Sequence, residues 1–338
     1  MGGDQGCAVA VDGVRLALAS SPDIAEIHLV GRREEIERAI TRARLKDSRV
    51  RIVHAEEVLT MEDNPLTAIR KKKDSSLVRG IELVKSGQAD ALISAGNTGA
   101  LVAGSTLALR RLDGVERPAI AVVMPSGRGE FLLIDAGANA DCKPGHLVQF
   151  AIMGNIYSRE ILGHKKPRVG ILSNGTEAMK GTDCTREAYQ LCQRLDLHFI
   201  GYVEGHDLFS DHVDVAVTDG FLGNVVLKSC ESLGKTMLRM LRRELAANPM
   251  RKLGATLAAK GFQNLKRRLD PDVYGGAPIL GLHGTVIKAH GSAREQAIMN
   301  AIRVSTEAVR HHINDLIQQD IARSAVITEE TPKTPVPA

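Results

Sequence analysis

The sequence predicts an α/β fold in which helices cover both faces of a doubly wound, largely parallel sheet. Two observations carry this prediction: short runs rich in Val, Ile and Leu alternate with longer helix-like segments, and polar residues rarely interrupt these runs. Strands that are buried on both faces have this continuous apolar pattern. Regular alternation of strand and helix is typical of parallel sheets, because a parallel connection needs a crossover segment.

The strand and helix predictions follow these runs along the chain. The opening Met1-Gly-Gly-Asp4 is loop-like, although a doubly wound fold would normally have a strand before its first helix. Strands are predicted over residues 26–31, 51–55, 90–96, 119–125, 131–137, 169–175, 197–205 and 213–220. Helices are predicted over residues 7–20, 34–46, 75–86, 98–111, 146–162, 182–195, 223–246 and 294–321.

The composition fits a single cytoplasmic domain over residues 1–327, followed by a disordered tail of Thr, Pro and Glu over 328–338. Trp is absent and aromatic residues make up 3% of the chain, which argues against stacking on single-stranded nucleic acid. The five cysteines show neither a CxxC pair nor zinc-type spacing, so we expect reduced thiols and no metal site. No apolar run is long enough to span a bilayer, so we expect a soluble or peripheral protein.

Four predicted strands end in similar polar loops that contain glycine. In a parallel sheet such loops can share one edge, where ligands bind. Helices that start after Asn97 and Asn224 would direct unpaired N–H groups there, which suits a phosphate or an oxyanion. The plainer alternative is that each glycine only serves a tight turn. The loops are Ser-Ala-Gly-Asn-Thr-Gly at 94–99, Asp-Ala-Gly-Ala-Asn at 135–139, Ser-Asn-Gly-Thr-Glu at 173–177 and Asp-Gly-Phe-Leu-Gly-Asn at 219–224.

The candidate site residues come from these loops and from the cations beside them. The lysines would offset phosphate charge, the asparagines would donate to an oxyanion, and an Asp or His would orient phosphate or carry a proton. For each lysine the alternative is a solvated surface charge. Predicted catalytic residues are Asn97, Lys180, Asp219 and His290. Predicted substrate-binding residues are Gly96, Thr98, Gly99, Asn139, Asn174, Gly175, Thr176, Glu177, Gly220, Gly223, Asn224, Lys228 and Lys288.

One segment, residues 235–270, carries a local excess of positive charge. It holds ten Lys or Arg and two acids, so the remaining chain is slightly acidic against a total of +4. Its pattern predicts two amphipathic helices separated at Asn248-Pro249. Four roles for these helices stay open: a helical hairpin at a dimer interface, a docking surface for carrier protein, an anchor on anionic lipid, and an ordinary surface helix pair. The predicted contact residues are Arg251, Lys252, Leu257, Lys260, Phe262, Lys266, Arg267 and Arg268.

Several common catalytic motifs are not supported. No GxGxxG follows the first strand, and neither HExxH nor GxSxG occurs. The sequence Gly-Lys-Thr at 234–236 has Ser229 where a P-loop needs its first glycine. Asp141 precedes Cys142, and its charge disfavours a thiolate, so an acyl-cysteine mechanism is not expected.

Taken together, the motifs resemble those of the PlsX family, the bacterial acyl-carrier-protein:phosphate acyltransferases. The matching segments occur in order through nearly the whole chain. They are Met-Gly-Gly-Asp at 1–4, Ser-Ala-Gly-Asn-Thr-Gly-Ala at 94–100, Asp-Ala-Gly-Ala-Asn at 135–139 with Asp141, His-Leu-Val-Gln-Phe-Ala-Ile-Met-Gly at 146–154, Asn-Gly-Thr-Glu at 174–177 with Lys180-Gly181, Thr-Asp-Gly-Phe at 218–221 with Gly223-Asn224, and Leu-Gly-Leu at 280–282 with Gly-Thr-Val-Ile-Lys at 284–288 and His290-Gly291.

The resemblance implies a fold like those of isocitrate and isopropylmalate dehydrogenases and phosphotransacetylases, a homodimer, and neither metal nor redox cofactor. It implies transfer of a fatty acyl group from acyl carrier protein to inorganic phosphate at the inner face of the cell membrane. The acyl phosphate would pass to a membrane glycerol-3-phosphate acyltransferase for phospholipid synthesis. Three alternatives stay open: an acyl-coenzyme A donor, a metal- and NAD-dependent decarboxylating dehydrogenase, and a non-enzymatic scaffold that binds carrier protein.

Overall fold

A computed structural model describes residues 1–329, which form helices packed on both faces of an eight-stranded sheet and a separate two-stranded sheet. The strands are β1 (Ile27–Gly31), β2 (Val50–His54), β3 (Ala91–Ser94), β4 (Ala119–Pro125), β5 (Glu130–Ile134), β6 (Val169–Leu172), β7 (Phe199–Val203), β8 (Val215–Val217), β9 (Ala277–Leu280) and β10 (Thr285–Lys288). The α-helices are α1 (Gly6–Ser20), α2 (Arg33–Ala43), α3 (Pro65–Lys71), α4 (Ser76–Lys85), α5 (Thr98–Leu109), α6 (Pro144–Glu160), α7 (Asp183–Cys192), α8 (Gly220–Leu245), α9 (Pro249–Leu257), α10 (Ala259–Arg268), α11 (Glu295–Arg310) and α12 (Ile313–Glu329).

The predicted α/β fold class is confirmed, and a strand forms at each of the eight predicted positions. Strands β9 and β10 and helix α3 were not predicted. The last predicted helix is two helices, which are divided where His312 adopts a left-handed backbone with φ 51°. Helix α12 includes Thr328 and Glu329, the first two residues of the predicted tail, and the rest of that tail lies outside the described residues.

The large sheet is mixed, although most of its strand pairs are parallel. Its order is β3-β10-β9-β4-β5-β8-β6-β7. Strand β10 is parallel to β3, and β9 is antiparallel to β10. Strand β4 is antiparallel to both β9 and β5. Strands β8, β6 and β7 are parallel to β5. Strands β3, β10 and β4 therefore run in one direction, and the other five strands of the sheet run against them.

Two apolar clusters cover the faces of this sheet. One places α6, with fully buried Phe150 and Tyr157, against β5, β6 and β8, and it continues into α11 and α12. The other packs α4 and α5 against the opposite face around Phe131 and Leu133. A third cluster joins α1, α2 and the β1–β2 sheet to α11. Burial of these side chains provides the main driving force for the fold.

The basic segment forms the end of α8 together with α9 and α10. Neither α9 nor α10 contains a buried residue. The second predicted helix is thus two shorter helices that meet at Ala258, and Asn248 caps the first by accepting from the Arg251 N–H at 2.8 Å. Whether the segment projects as a helical pair stays a prediction. Among residues 1–329 no helix has both the length and the apolar character needed to cross a membrane.

Candidate functional site

The predicted loops do not share one edge of the sheet, which corrects an expectation drawn from an all-parallel arrangement. Because β5, β6 and β8 run against β3 and β10, the loops that follow them form two groups. The first group holds Gly96, Asn97, Thr98, Gly99, Lys288 and His290. The second group holds Asn139, Asn174, Gly175, Thr176, Glu177, Lys180, Asp219, Gly220, Gly223 and Asn224.

In the first group, Asn97 is fully engaged in holding its loop. Its Oδ1 accepts from the Ala100 N–H at 2.9 Å, which caps α5, and its Nδ2 donates to the carbonyl oxygens of Thr60, Met61 and Asp63 at 3.1–3.3 Å. A side chain with these contacts has no donor left for an oxyanion. The N–H groups of Thr98 and Gly99 lie in the first turn of α5, where N–H groups have no intrahelical partner, so the donors of this loop are backbone groups.

In the second group, the loop after β5 is organised around the buried carboxylate of Asp135. This carboxylate accepts from the backbone N–H groups of Ile120, Gly137, Ala138 and Asn139 at 2.8–3.1 Å, and from the Asn139 side chain at 2.9 Å. Burial raises the pKa of Asp135, while the hydrogen bonds from Ala138 and Asn139 oppose the rise. Asp135 fixes the loop, and the amide of Asn139 is occupied in doing so.

Helix α8 begins directly against this loop, one turn earlier than predicted. Its N-cap is Asp219, whose Oδ1 accepts from the Leu222 N–H at 2.8 Å. The approach is so close that a Cβ atom added to Gly223 would lie 1.9 Å from the Asp135 carbonyl oxygen. Asn224, predicted to lie before the helix, is instead in its first turns, where it is exposed beside Gly137. Asp219 therefore serves as a cap, and the exposed side chain of Asn224 lies against Gly137 of the loop.

The loop after β6 presents Lys180. Asn174 Oδ1 accepts from the Gly181 N–H at 3.0 Å, and Gly181 has φ 81° with no room for a side chain, since an added Cβ would lie 2.3 Å from Thr185 Oγ1. The stem of Lys180 lies over Gly175. Lys180 is exposed, and its ammonium makes no ion pair or hydrogen bond within the described residues. The turn thus fixes the backbone of Lys180 and leaves its charge available.

Lys288, at the end of β10, is a buried cation. It is 9% exposed and its Nζ donates to the Ala289 carbonyl oxygen. Burial, together with the nearby positive charge of Lys228, lowers its pKa to about 8, although Asp4 acts in the opposite direction. A buried ammonium with so little opposing negative charge is well suited to an anionic ligand.

His290 lies beside Lys288 and is held by Ser292. Its Nδ1 accepts from the Ser292 backbone N–H at 3.2 Å and lies 2.8 Å from Ser292 Oγ. Partial desolvation of the ring, followed by the charge of Lys228, lowers the pKa of His290 below its ordinary value of 6.5. His290 is therefore neutral at pH 7, with its proton on Nε2, because Nδ1 accepts a hydrogen bond.

Helix α8 connects the two groups of loops. It begins at Gly220 in the second group, and about two turns later the charge of Lys228 is close enough to lower the pKa of both Lys288 and His290. Lys228 itself forms an ion pair with Glu231 at 2.9 Å. The candidate residues of both groups thus lie near the first turns of α8, rather than in a row of loops at one sheet edge.

The predicted contact residues on α9 and α10 differ in their surroundings. Leu257 is 83% exposed, whereas Phe262 is half-buried. Arg251 pairs with Glu244 at 2.8 Å, and Arg268 donates to the Gly127 carbonyl oxygen at 3.0 Å. The latter contact attaches α10 to the β4–β5 turn. Lys252, Lys260, Lys266 and Arg267 are exposed.

Two residues outside the predicted set contact the loops that carry the candidate residues. Asp135 organises the second group of loops, and Asp4 joins the first group because its N–H donates to the Gly291 carbonyl oxygen at 2.9 Å and its charge acts on Lys288. Both stand in the motifs noted above. Asp135 could have been found as the carboxylate at a buried strand end, with several backbone N–H groups following it. Within residues 1–329 no group of three or more His, Cys, Asp or Glu is arranged to hold a metal ion.

Comparison with known proteins agrees with this fold. Two solved structures are similar at low sequence identity. A phosphotransacetylase from Streptococcus pyogenes aligns with TM-score 0.62 and 17% identity, covering 90% of this chain and 91% of that one. A branched-chain phosphotransacylase from Enterococcus faecalis aligns with TM-score 0.52 and 15% identity, covering 91% of this chain and 97% of that one.

Sequence comparison gives much closer relatives. A phosphate acyltransferase from Akkermansia muciniphila is 48% identical over 335 residues, or 97% of this chain and 96% of the relative. One from Geobacter sulfurreducens is 44% identical over 319 residues, or 94% of this chain and 92% of the relative. The profile of the family described as "Fatty acid synthesis protein" matches residues 1–316. The chain therefore belongs to this family, the PlsX family of phosphate acyltransferases, and is an acyltransferase.

Proposed function

We propose that this acyltransferase moves a fatty acyl group from acyl-[acyl carrier protein] to inorganic phosphate, and that the acyl phosphate serves phospholipid synthesis. The relatives named phosphate acyltransferase and the family description support phosphate as the acceptor and fatty acid synthesis as the setting. The choice of acyl carrier protein as donor rests on the resemblance and on the basic surface discussed below.

The observation that carries the proposal is the buried cation Lys288. Its charge is unfavourable where it stands, since burial and Lys228 both lower its pKa. A phosphate dianion beside Lys288 and Lys228 would relieve both effects. The neutral His290 can donate from Nε2 to a phosphate oxygen, and the first turn of α5 adds backbone N–H groups. Phosphate is therefore assigned to the first group of loops.

The thioester is assigned to the second group, across the start of α8. Attack by a phosphate oxygen on the thioester carbonyl forms the new C–O bond and places negative charge on the former carbonyl oxygen. Asn224 and Lys180 are the exposed side chains there that can stabilise that charge. Collapse of this intermediate breaks the C–S bond and releases the carrier thiolate, which then takes a proton. No covalent enzyme intermediate is required, because the thioester is already activated and the two reactants need only be positioned.

The basic segment, residues 235–270, supports an acidic carrier protein and an anionic membrane as binding partners. An acidic carrier protein would be steered by the exposed cations Lys252, Lys260, Lys266 and Arg267, and the same cations with Leu257 suit an anionic lipid surface. We further propose a homodimer, a cytoplasmic location with peripheral contact at the inner face of the membrane, and delivery of acyl phosphate to a membrane glycerol-3-phosphate acyltransferase. No cofactor is proposed.

The test is turnover of palmitoyl carrier protein with phosphate, in the absence of added metal and nicotinamide. We expect phosphate-dependent release of the carrier thiol, together with an equal amount of acyl phosphate trapped as hydroxamate. A higher kcat/KM for palmitoyl-coenzyme A than for the carrier-protein substrate would assign the donor to coenzyme A instead. Loss of activity with a chelator, restored by magnesium, would contradict the metal-free reaction.

A further inference from the structure

A stripe of polar side chains runs along the first half of α8. At about 3.6 residues per turn, positions 224, 228, 231 and 235 lie on one side of a helix. The residues at these positions are Asn224, Lys228, Glu231 and Lys235. An adjoining side of the helix is partly buried, because Val226, Leu227 and Cys230 pack against the apolar core. The polar stripe therefore borders the body of the protein.

Glu231 is the less exposed of the two acids in α8. Its side chain is 18% exposed, and its Oε2 accepts a hydrogen bond from the Lys228 Nζ at 2.9 Å. The other acid, Glu244, pairs with Arg251 at 2.8 Å, but its side chain is 70% exposed. Charges that are partly removed from water attract each other more strongly. The Lys228–Glu231 pair is therefore held more firmly than the pair at Glu244.

Both members of this pair act on His290. After partial desolvation of the ring, the charge of Lys228 has the largest effect on the pKa of His290 and lowers it, and Glu231 comes next and raises it. Burial and then the charge of Lys228 also lower the pKa of Lys288. Effects between exposed charges are screened over about 10 Å. The ion pair therefore stands beside the residues assigned to phosphate.

Lys228 needs a partner to keep this position. Its side chain is 53% exposed, and a lysine ammonium is a strongly hydrated charge on a flexible stem. The positive charge of Lys288 nearby repels it. The carboxylate of Glu231 offsets this repulsion. Because an ammonium has more than one N–H donor, Lys228 can donate to Glu231 and to a phosphate oxygen at the same time.

We propose that Glu231 is a positioning residue that holds the Lys228 ammonium in place for phosphate, an inference that rests on the function proposed above. Glu231 makes no contact with phosphate itself, because two anions repel each other. It restricts the side chain of Lys228 before phosphate arrives. Phosphate binding then costs less side-chain ordering, which raises the affinity.

The experiment measures the KM for phosphate, with palmitoyl carrier protein as donor, in the wild type and in Glu231→Gln, Lys228→Met and the double variant. Glu231→Gln keeps the shape of the side chain and removes its charge. We expect it to raise the KM for phosphate roughly 3- to 30-fold, where the rotamer freedom of a lysine side chain sets the upper figure. The kcat and the KM for the donor should stay within about 2-fold of the wild type.

Two further measurements separate positioning from a role in folding. The thermal midpoint of Glu231→Gln should stay within about 2 °C of the wild type, because an i,i+3 ion pair contributes little to stability. Glu244→Gln is the matched control, since it removes the same charge from the other ion pair of this acid type on α8, and it should leave the KM for phosphate unchanged. The KM does not depend on the folded fraction, so a partly unfolded variant still gives an answer.

The double variant decides whether Glu231 acts through Lys228. Lys228→Met alone should raise the KM for phosphate, and adding Glu231→Gln should give no further rise. An unchanged or lower KM in Glu231→Gln would overturn the proposal, and so would the same fold-increase from Glu231→Gln with and without Lys228. If Lys228→Met itself leaves the KM unchanged, Lys228 does not belong to the phosphate site, and that part of the proposed function is wrong together with this role of Glu231.

Discussion

At the residue scale, Lys288 is the side chain whose surroundings are least favourable to its ordinary charge. Its pKa falls from 10.5 to about 8 through burial and the charge of Lys228, which corresponds to a cost on the order of 3 kcal/mol for the protonated folded state. Below pH 8 both the folded and unfolded states carry the proton and the cost is fully present. Between pH 8 and 10.5 only the unfolded state keeps the proton, so this group makes stability rise with pH.

We therefore predict that Lys288→Met stabilises the protein and weakens phosphate binding. At pH 7 its free energy of unfolding should exceed that of the wild type, and the difference should shrink by pH 10. The KM for phosphate should rise roughly 10-fold or more, as expected for loss of a hydrogen bond from a charged group. Denaturant unfolding at the two pH values and initial rates check this. Lys180→Met is the control for unfolding, because Lys180 is exposed and its replacement should not stabilise the protein at pH 7. An unchanged KM would remove Lys288 from the phosphate site.

A second pair of substitutions tests the mechanism. We expect Lys180→Ala to lower turnover by roughly 10²-fold, the scale of losing one pre-organised electrostatic contact. Cys142→Ser should keep most activity, because burial and the charges of Asp135 and Asp219 raise the pKa of the Cys142 thiol to about 12. Steady-state kinetics on folded protein give both answers. A folded but inactive Cys142→Ser variant would establish the acyl-cysteine route instead.

At the element scale, the contact between α8 and the loop after β5 is the tightest in the site. We predict that Gly223→Ala destabilises the protein by about 1–3 kcal/mol and lowers activity, because its Cβ would lie 1.9 Å from the Asp135 carbonyl oxygen. Gly234→Ala lies further along the same helix, where nothing stands within 4 Å of an added Cβ. That control should gain about 0.5–1 kcal/mol in stability. Thermal unfolding and rates check both, and equal effects would contradict this role for Gly223.

Element positions were largely predictable from the sequence, but their directions were not. The sequence predicts β4 because its seven consecutive residues are apolar, whereas β9 and β10 have only four residues each, which is too short for a clear strand pattern. The four residues 126–129 between β4 and β5 are Ser-Gly-Arg-Gly, a hairpin signal. Recognising that signal would have shown the reversal that separates the loops into two groups. The role of Asn97 depended on contacts with residues 60–63, which spacing alone does not reveal.

At the scale of the whole molecule, residues 235–270 form a local excess of positive charge in a chain that is otherwise slightly acidic. We predict that Leu257→Glu and Lys266→Ala/Arg267→Ala each weaken binding to anionic vesicles, since each basic residue near such a surface contributes about 1 kcal/mol. Arg268 is left unchanged because it is tied to Gly127. Co-sedimentation with anionic and neutral vesicles is the measurement. The charge-matched control is Lys165→Ala/Lys166→Ala, at two exposed lysines outside this segment, and it should bind as the wild type does. If Leu257→Glu and Lys266→Ala/Arg267→Ala also bind as the wild type does, α9 and α10 do not contact the membrane.

Helix α8 also behaves as a mechanical lever. Its 26 residues span about 39 Å, and its buried residues are Gly220 and Gly223 at one end. A tilt of about 5° around that fulcrum would displace the far tip by roughly 3 Å, while atoms next to Asp219 would move by a small fraction of that. Such a tilt is opposed beyond the first turn, because Val226, Leu227 and Cys230 pack against the core and Arg268 of α10 donates to the Gly127 carbonyl oxygen. The long arm therefore amplifies any small rotation at its base, and these contacts set how far its tip can move.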